Sequence, residues 1–302
     1  MTARPETLAG VAETDLSGTT ALVTGSTSGI GRETALALGR LGADVMVHGR
    51  DEAAGMAVVD ELAALGTDPT FQQADFADRE AVENLAAALR AWTDSLEILH
   101  HNAGGLFRSG RLTEIGVEYT FQVNHLSAYL LTSELLSSLA DDARVVTTSS
   151  GAHRGVTIDY EAIGSLESYS GFRAYQRSKL ANVLFSAELA HRLEQTGQSI
   201  TANAFHPGAI PASGFGRFLP GPLPRLLSGL QRLPMTTSVA EGAATAVYLA
   251  CSRQVEDVSG RYFVDRAIKT PSRSSRDRNA QRRLWKRSAV LLDIDEPLAE
   301  AG

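Results

Sequence analysis

The chain is poor in several things, and each shortage closes off a class of protein. One cysteine, Cys251, stands in 302 residues. No intrachain disulfide framework can exist, and a reducing, cytoplasmic setting is the expectation. No apolar run reaches 18 residues, so no membrane span is expected. Residues 1–17 lack the apolar stretch of a secretory signal and read as a polar, loosely ordered lead-in. The seven histidines are scattered, without an HExxH or CxxC motif, so no metal site is expected. His100 and His101 are adjacent and would point to opposite faces of a strand. The net charge of −7 is modest and does not suit a general nucleic-acid binder. Lysine is scarce too: Lys179, Lys269 and Lys286 are the full set.

What remains is an ordinary globular balance, with 43% hydrophobic and 21% charged residues, which excludes disorder of the whole chain. Apolar, β-branched runs alternate with helical spacing. Strands are predicted at 19–24, 43–48, 69–74, 96–101, 144–149, 199–205 and 262–264. Helices are predicted at 30–41, 52–65, 78–92, 112–139, 172–195 and 237–252. This alternation implies βαβ crossovers and a mainly parallel α/β sheet covered on both faces. Residues 18–290 read as one domain and 291–302 as a tail. Two stretches break the rhythm. Residues 151–171 are a long insertion, and 209–235, rich in Pro, Gly, Leu and Arg, read as a substrate lid. The basic segment from Arg273 to Arg287 reads as a solvated helix face.

Between the first strand and first helix lies Thr24-Gly25-Ser26-Thr27-Ser28-Gly29-Ile30-Gly31. Glycines there let the backbone turn tightly and approach a pyrophosphate, and the helix N-terminus offers free N–H groups to it. That strand–turn–helix context predicts a dinucleotide cofactor. At the end of the second strand, Val47-His48-Gly49-Arg50-Asp51 places Gly49 where an acidic residue would hold a ribose 2′-hydroxyl. Arg50 can fork onto a 2′-phosphate, which favours NADP (NADPH) over NAD. Asp51 could pair with Arg50 or repel that phosphate.

Tyr175 and Lys179 stand four residues apart and so share a helical face. An ammonium near a phenol favours the phenolate, and the pair can exchange a proton with an alcohol or carbonyl. With seven tyrosines and three lysines, chance yields this spacing in fewer than about one such chain in ten.

Taken together, these residues resemble the short-chain dehydrogenase/reductase family over residues 18–290. The motifs occur in order: Thr24-Gly25…Gly29-Ile30-Gly31, Asp75, Asn102-Ala103-Gly104, Asn124, Ser149-Ser150, Tyr175…Lys179 and Pro207-Gly208. Val123-Asn124-His125-Leu126, Ser178-Lys179-Leu180-Ala181-Asn182, His206-Pro207-Gly208 and Arg283-Leu284-Trp285 resemble the retinol-dehydrogenase-like and WW-domain-oxidoreductase-like group. The resemblance implies a single-domain Rossmann fold with a seven-stranded sheet. It implies Tyr175 as general acid/base, Lys179 as its pKa-lowering partner and ribose ligand, and Ser150 as the donor to the substrate oxygen. Asn124 would position a water linking Lys179 to solvent. Asp75, with Phe76 beside it, would meet the adenine. Asn102, Ala103 and Gly104 would line the cofactor cleft, and Pro207, Gly208 and Ile210 would flank the nicotinamide. A homodimer or homotetramer is also implied. His101 departs from the family's usual asparagine, and Ala212 replaces a common Thr or Ser that grips the cofactor.

The expected activity is NADP(H)-dependent hydride transfer between nicotinamide and an alcohol/carbonyl pair, on a fairly apolar ketone or aldehyde. Two other readings share the fold: a non-catalytic dinucleotide-binding sensor or scaffold, and a lyase or epimerase that uses transient oxidation.

Overall fold

In the computed structural model, residues 3–208 and 237–299 are described. Their short apolar runs build one sheet in the order 3-2-1-4-5-6-7-8. Its strands are β1 (Thr20–Val23), β2 (Asp44–Gly49), β3 (Thr70–Gln73), β4 (Leu96–His101), β5 (Leu139–Thr148), β6 (Thr201–His206), β7 (Tyr262–Val264) and β8 (Ala267–Ile268). Neighbours pair in parallel from β3 through β7. The eighth strand corrects the seven-stranded expectation. β8 returns antiparallel along β7 through Asp265 and Arg266, whose φ values of 49° and 60° are those of a two-residue hairpin turn. An Asp-Arg pair is not the usual Asn-Gly or Asp-Gly signal for such a turn, and the strand is two residues long.

The helices are α1 (Pro5–Leu8), α2 (Gly29–Arg40), α3 (Glu52–Ala63), α4 (Arg79–Trp92), α5 (Tyr119–Phe121), α6 (Ser127–Leu135), α7 (Gly171–Gln195), α8 (Val239–Cys251) and α9 (Arg278–Leu292). Period-two alternation along the strands splits the core in two. Leu22, Met46, Leu99 and Val145 face α4, α6, α7 and α9. Ala21, Val23, Val45, Val47, Ile98 and Val146 face α2, α3 and α8. Each such Leu or Val, fully buried, contributes roughly 1.5–3 kcal/mol. His100 and His101 obey the same rule: one ring lies by Phe205, the other by Phe185.

Two further expectations are corrected. From residue 3 onward the lead-in is not loose: α1 docks, Ala9, Val11 and Leu16 are buried, and Glu6 accepts from Arg40 Nε at 2.7 Å. The helix predicted over 112–139 starts only at Tyr119. Leu112 bridges Glu118, Gly116 sits at φ +74°, and the buried Glu118 carboxylate accepts from the N–H groups of Thr120 and Phe121. That carboxylate is the helix cap, so the chain turns before it rather than running through. Beyond α5, Gln122–Leu126 form a π-helical turn. The basic segment from Arg273 to Arg287 carries the solvated face expected of it and a buried face besides. α9 buries Leu284, Trp285, Ala289 and Leu292 on one side and exposes Arg282, Arg283, Lys286 and Arg287 on the other. The buried Arg192 of α7 donates to Glu188 (2.8 Å) and to the Leu298 carbonyl (2.9 Å), pairs with Glu296 (2.8 Å), and lies 5.0 Å from the Trp285 ring.

Candidate active site

The carboxyl ends of β1 and β4 adjoin where the strand order reverses, which is where open α/β sheets bind ligands. Thr24 ties the two ends together. Its hydroxyl accepts from the N–H groups of Asn102 (2.9 Å) and Ala103 (3.0 Å) and donates to the His100 carbonyl. The Asn102 amide donates to the carbonyls of Thr24 (2.9 Å) and Gly25 (3.1 Å). A Cβ on Gly31 would collide with that amide and with the Gly25 carbonyl, so only glycine allows the packing. Gly29 opens α2 at φ +59° with nothing within 4 Å of a would-be Cβ. Ser28, the N-cap, makes no side-chain capping bond. An open, positively polarised helix start of this kind fits a pyrophosphate. A Cβ on Gly49 would strike Thr27. Ser26 donates to the Val23 carbonyl and accepts from the His48 N–H.

His48 is a site residue that the motifs did not disclose. It is buried on β2, its Nδ1 accepts from the Gly25 N–H (3.1 Å), and its Nε2 meets the Ala74 carbonyl (3.2 Å). Its ring stacks on Phe76 at 4.4 Å. Burial lowers its pKa to about 4, so the ring is neutral and can accept. The sequence signal was a polar residue at an inward position of a buried strand.

Arg50 follows β2 at the same edge, with its side chain 63% exposed. It stands 3.9 Å from Asp75 and donates to the Tyr119 hydroxyl at 3.4 Å. Asp51 caps α3 by accepting from the Ala54 N–H. Of the two roles open to Asp51, the pairing with Arg50 is not made: Arg50 stands by Asp75 instead. Asp75 also accepts from the Ala77 N–H.

The second group gathers at the ends of β5 and α7. The Ser149 hydroxyl donates to the Lys179 carbonyl (2.7 Å), pinning helix to strand. Ser150 opens a short 3-10 turn, and its hydroxyl accepts from the Ala152 N–H. Its side chain also hydrogen-bonds that of Tyr175. Burial raises the Tyr175 pKa, and the Ser150 bond works against that rise. Lys179 is buried, and desolvation lowers its pKa to about 8. Its ammonium donates to the Thr148 carbonyl (3.1 Å), which also accepts from Asn182. The lowering of the tyrosine by lysine, expected from the spacing, is therefore not the dominant influence: burial wins, and Ser150 opposes it.

Asn124 lies in the π-helical turn, a distortion frequent at functional sites. Its amide clamps the Gly105 backbone in both directions at 2.9 Å and donates to Ser178. Gly104 precedes that clamp; a Cβ there would crowd Asn124 and lie 3.6 Å from Lys179 Nζ. Pro207 and Gly208 follow β6 at the same sheet edge. Ile210, Ala212 and the segment 209–235 lie outside the described residues. The neighbouring motif residues have structural work: His125 bonds Ser288 of α9 at 3.0 Å.

A doubly wound parallel sheet with a glycine turn at its switch point and a Ser–Tyr–Lys group beside it defines a Rossmann-type α/β protein. The short chain dehydrogenase family model matches residues 19–217. Mouse retinol dehydrogenase 14 is 39% identical over 292 residues, spanning 92% of this chain and 86% of the relative. Among solved structures, an uncharacterised protein of Mycobacterium paratuberculosis superposes with a TM-score of 0.76 at 29% identity, covering 94% of this chain and 97% of the other. A short chain dehydrogenase of Burkholderia cenocepacia, solved with NADP, gives 0.67 at 26% identity, covering 82% and 96%. The chain belongs to the short-chain dehydrogenase family, on its retinol-dehydrogenase-like side, and is by class an oxidoreductase of alcohol/carbonyl pairs.

Proposed function

We propose that this protein is an NADP(H)-dependent carbonyl reductase/alcohol dehydrogenase, working on a fairly apolar ketone or aldehyde. The observation that carries the reading is the convergence of Ser150, Tyr175 and Lys179 beside the glycine turn. The NADP-bound Burkholderia structure and the exposed Arg50 support NADP(H). The name of the mouse relative supports an apolar alcohol or carbonyl.

Gly25 to Gly31 would hold the pyrophosphate. Arg50 would meet the 2′-phosphate, Asp75 and Phe76 the adenine, and Asn102 to Gly104 the cleft. Lys179 would hold the nicotinamide ribose, and Pro207 and Gly208 would flank the ring. The cofactor supplies or takes the hydride. The chain's own residues handle the oxygen and the proton. Ser150 donates a hydrogen bond to the carbonyl oxygen and so stabilises the negative charge that develops there. Tyr175 delivers its phenolic proton to that oxygen. Because burial raises the Tyr175 pKa, the phenol is protonated at neutral pH, the state that reduction requires. Asn124 holds Gly105 and Ser178 in place around the site. Among the described residues no helix is long and apolar enough to cross a membrane.

Tyr175→Phe tests the assignment. Turnover of NADPH with carbonyl substrates should fall by about 100-fold or more, while NADPH still raises the melting temperature. Full turnover in the variant overturns the reading. NADPH binding without consumption by the wild type across a broad carbonyl panel would indicate a sensor.

A further inference from the structure

One buried histidine near this group has no part in the chemistry just described. His153, fully buried, closes the 3-10 turn that Ser150 opens. Its Nδ1 lies 2.6 Å from the Ser150 carbonyl oxygen. Its Nε2 lies 3.1 Å from the backbone nitrogen of Ser272, 119 residues away. A backbone N–H can only donate, so Nε2 must be bare; a carbonyl can only accept, so Nδ1 must carry the proton. Both bonds exist together only in the neutral Nδ1–H tautomer. Burial keeps the ring neutral by lowering its pKa, against the opposite pull of the Ser150 bond.

The far anchor is itself fixed. The Ser272 hydroxyl accepts from the Ser275 N–H (3.2 Å), the Ser275 hydroxyl donates to the Ser272 carbonyl (2.8 Å), and Gln281 of α9 donates to the Ser275 carbonyl (2.7 Å). Arg154, next to the histidine, donates to the Thr270 carbonyl (2.6 Å). The His153 ring packs against Tyr262 of β7 at 4.9 Å. Two separate parts of the sheet edge thus hold one short turn, and the turn begins at Ser150.

We infer that His153 is a positioning residue: it grips the Ser150 carbonyl and, anchored on the Ser272 N–H, holds the Ser150 hydroxyl in register with Tyr175. The inference rests on the reading of Ser150 and Tyr175 as the pair that meets the substrate oxygen. Misplacement of such a group by an ångström costs about 100-fold in rate, so a fixed serine backbone matters more than its stability contribution alone.

The first test needs no substrate. In enzyme labelled with 15N at histidine, the imidazole resonance that vanishes in His153→Phe should be an Nδ1–H tautomer at pH 7. An Nε2–H tautomer or an imidazolium there overturns the inference. The second test is kinetic, using NADPH with all-trans-retinal and 4-nitrobenzaldehyde as carbonyl probes. His153→Phe should lower kcat by about 10- to 100-fold with the NADPH Kd within about twofold. His153→Asn, whose amide nitrogen can stand where Nδ1 stands, should recover most of the loss. A kcat for His153→Phe within about twofold of wild type overturns the inference. If that variant does not fold, Ser272→Pro, which deletes the anchoring N–H, should lose more kcat than Ser272→Ala, which keeps it; equal values overturn the inference. Tyr175→Phe is measured alongside. Turnover retained there removes the reading of the site itself, whereas turnover lost there with His153→Phe unaffected removes only the role of His153.

Discussion

Lys179 spends its ammonium on a backbone carbonyl: Nζ donates to Thr148 O at 3.1 Å, while the centre of the Tyr175 ring is 5.8 Å away. Its pKa is lowered from 10.5 to about 8 by burial, so the fold disfavours the charged form. The unfolded chain holds this proton up to about pH 10.5 and the folded chain only up to about 8. The cost is fully present below pH 8 and fades as pH rises towards 10.5. It amounts to about 3 kcal/mol at most. Lys179→Met should therefore be more stable than wild type at pH 7, lose that advantage by about pH 10.5, and lose turnover at every pH. Denaturant unfolding at the two pH values checks this; a variant less stable than wild type at pH 7 contradicts it.

Arg50 reaches Asp75 only at 3.9 Å and is well exposed, so it can leave that pair for a phosphate. Arg50→Ala should weaken NADPH by about 10-fold or more, since a charge-assisted, forked contact is lost, and leave NADH within about twofold. Calorimetric titration of both nucleotides decides. Equal weakening of the two would assign Arg50 to the architecture of the turn rather than to the 2′-phosphate.

Acid should unfold this protein early. Burial lowers His48 to about 4 and His100, His101 and His125 to about 3 each. Each is neutral in the fold but takes a proton near pH 6.5 once unfolded. Stability therefore falls as pH drops from about 6.5 towards 4, by roughly 1.4 kcal/mol per pH unit for each histidine. His125→Phe should flatten the slope by about one proton. Stability independent of pH between 7 and 5 would contradict the burial of these rings.

Arg192 and Glu188 have side chains with no solvent exposure. Removing Arg192 leaves the buried Glu188 carboxylate only the half-exposed Arg278, 3.2 Å away, and breaking a buried pair costs about 3–5 kcal/mol. Arg192→Met should cost that much in urea unfolding, and Glu188→Leu combined with it should cost less than Arg192→Met alone. A single variant within about 1 kcal/mol of wild type would show that the charges are not desolvated.

Much of this was legible in the chain. Strands β1, β2 and β4 are runs buried on both faces, and such runs read plainly. The glycine turn and the Tyr175–Lys179 spacing read plainly because steric need and helical geometry fix them. What escaped was decided by partners distant in sequence. Glu118 caps a helix start that apolar spacing places several residues earlier. His48 and His153 gain their roles from the Gly25 and Ser272 backbones. The segment from Arg273 to Arg287 shows its charges in the sequence, but its buried side is recognised only against α7.

The docking of α9 and the strap after it also sets an order of events during synthesis. Arg192 is made about a hundred residues before its partners at Glu296 and Leu298. Until that segment leaves the ribosome, the Arg192 guanidinium has only Glu188 of its own helix, and the Phe185 side of α7 lies bare. Chains fold progressively as they emerge, and unfinished apolar surface is where aggregation begins. A nascent chain arrested before Trp285 therefore carries a complete glycine turn and Tyr175–Lys179 pair on a sheet whose α7 side, the core that α9 covers, is still open to water.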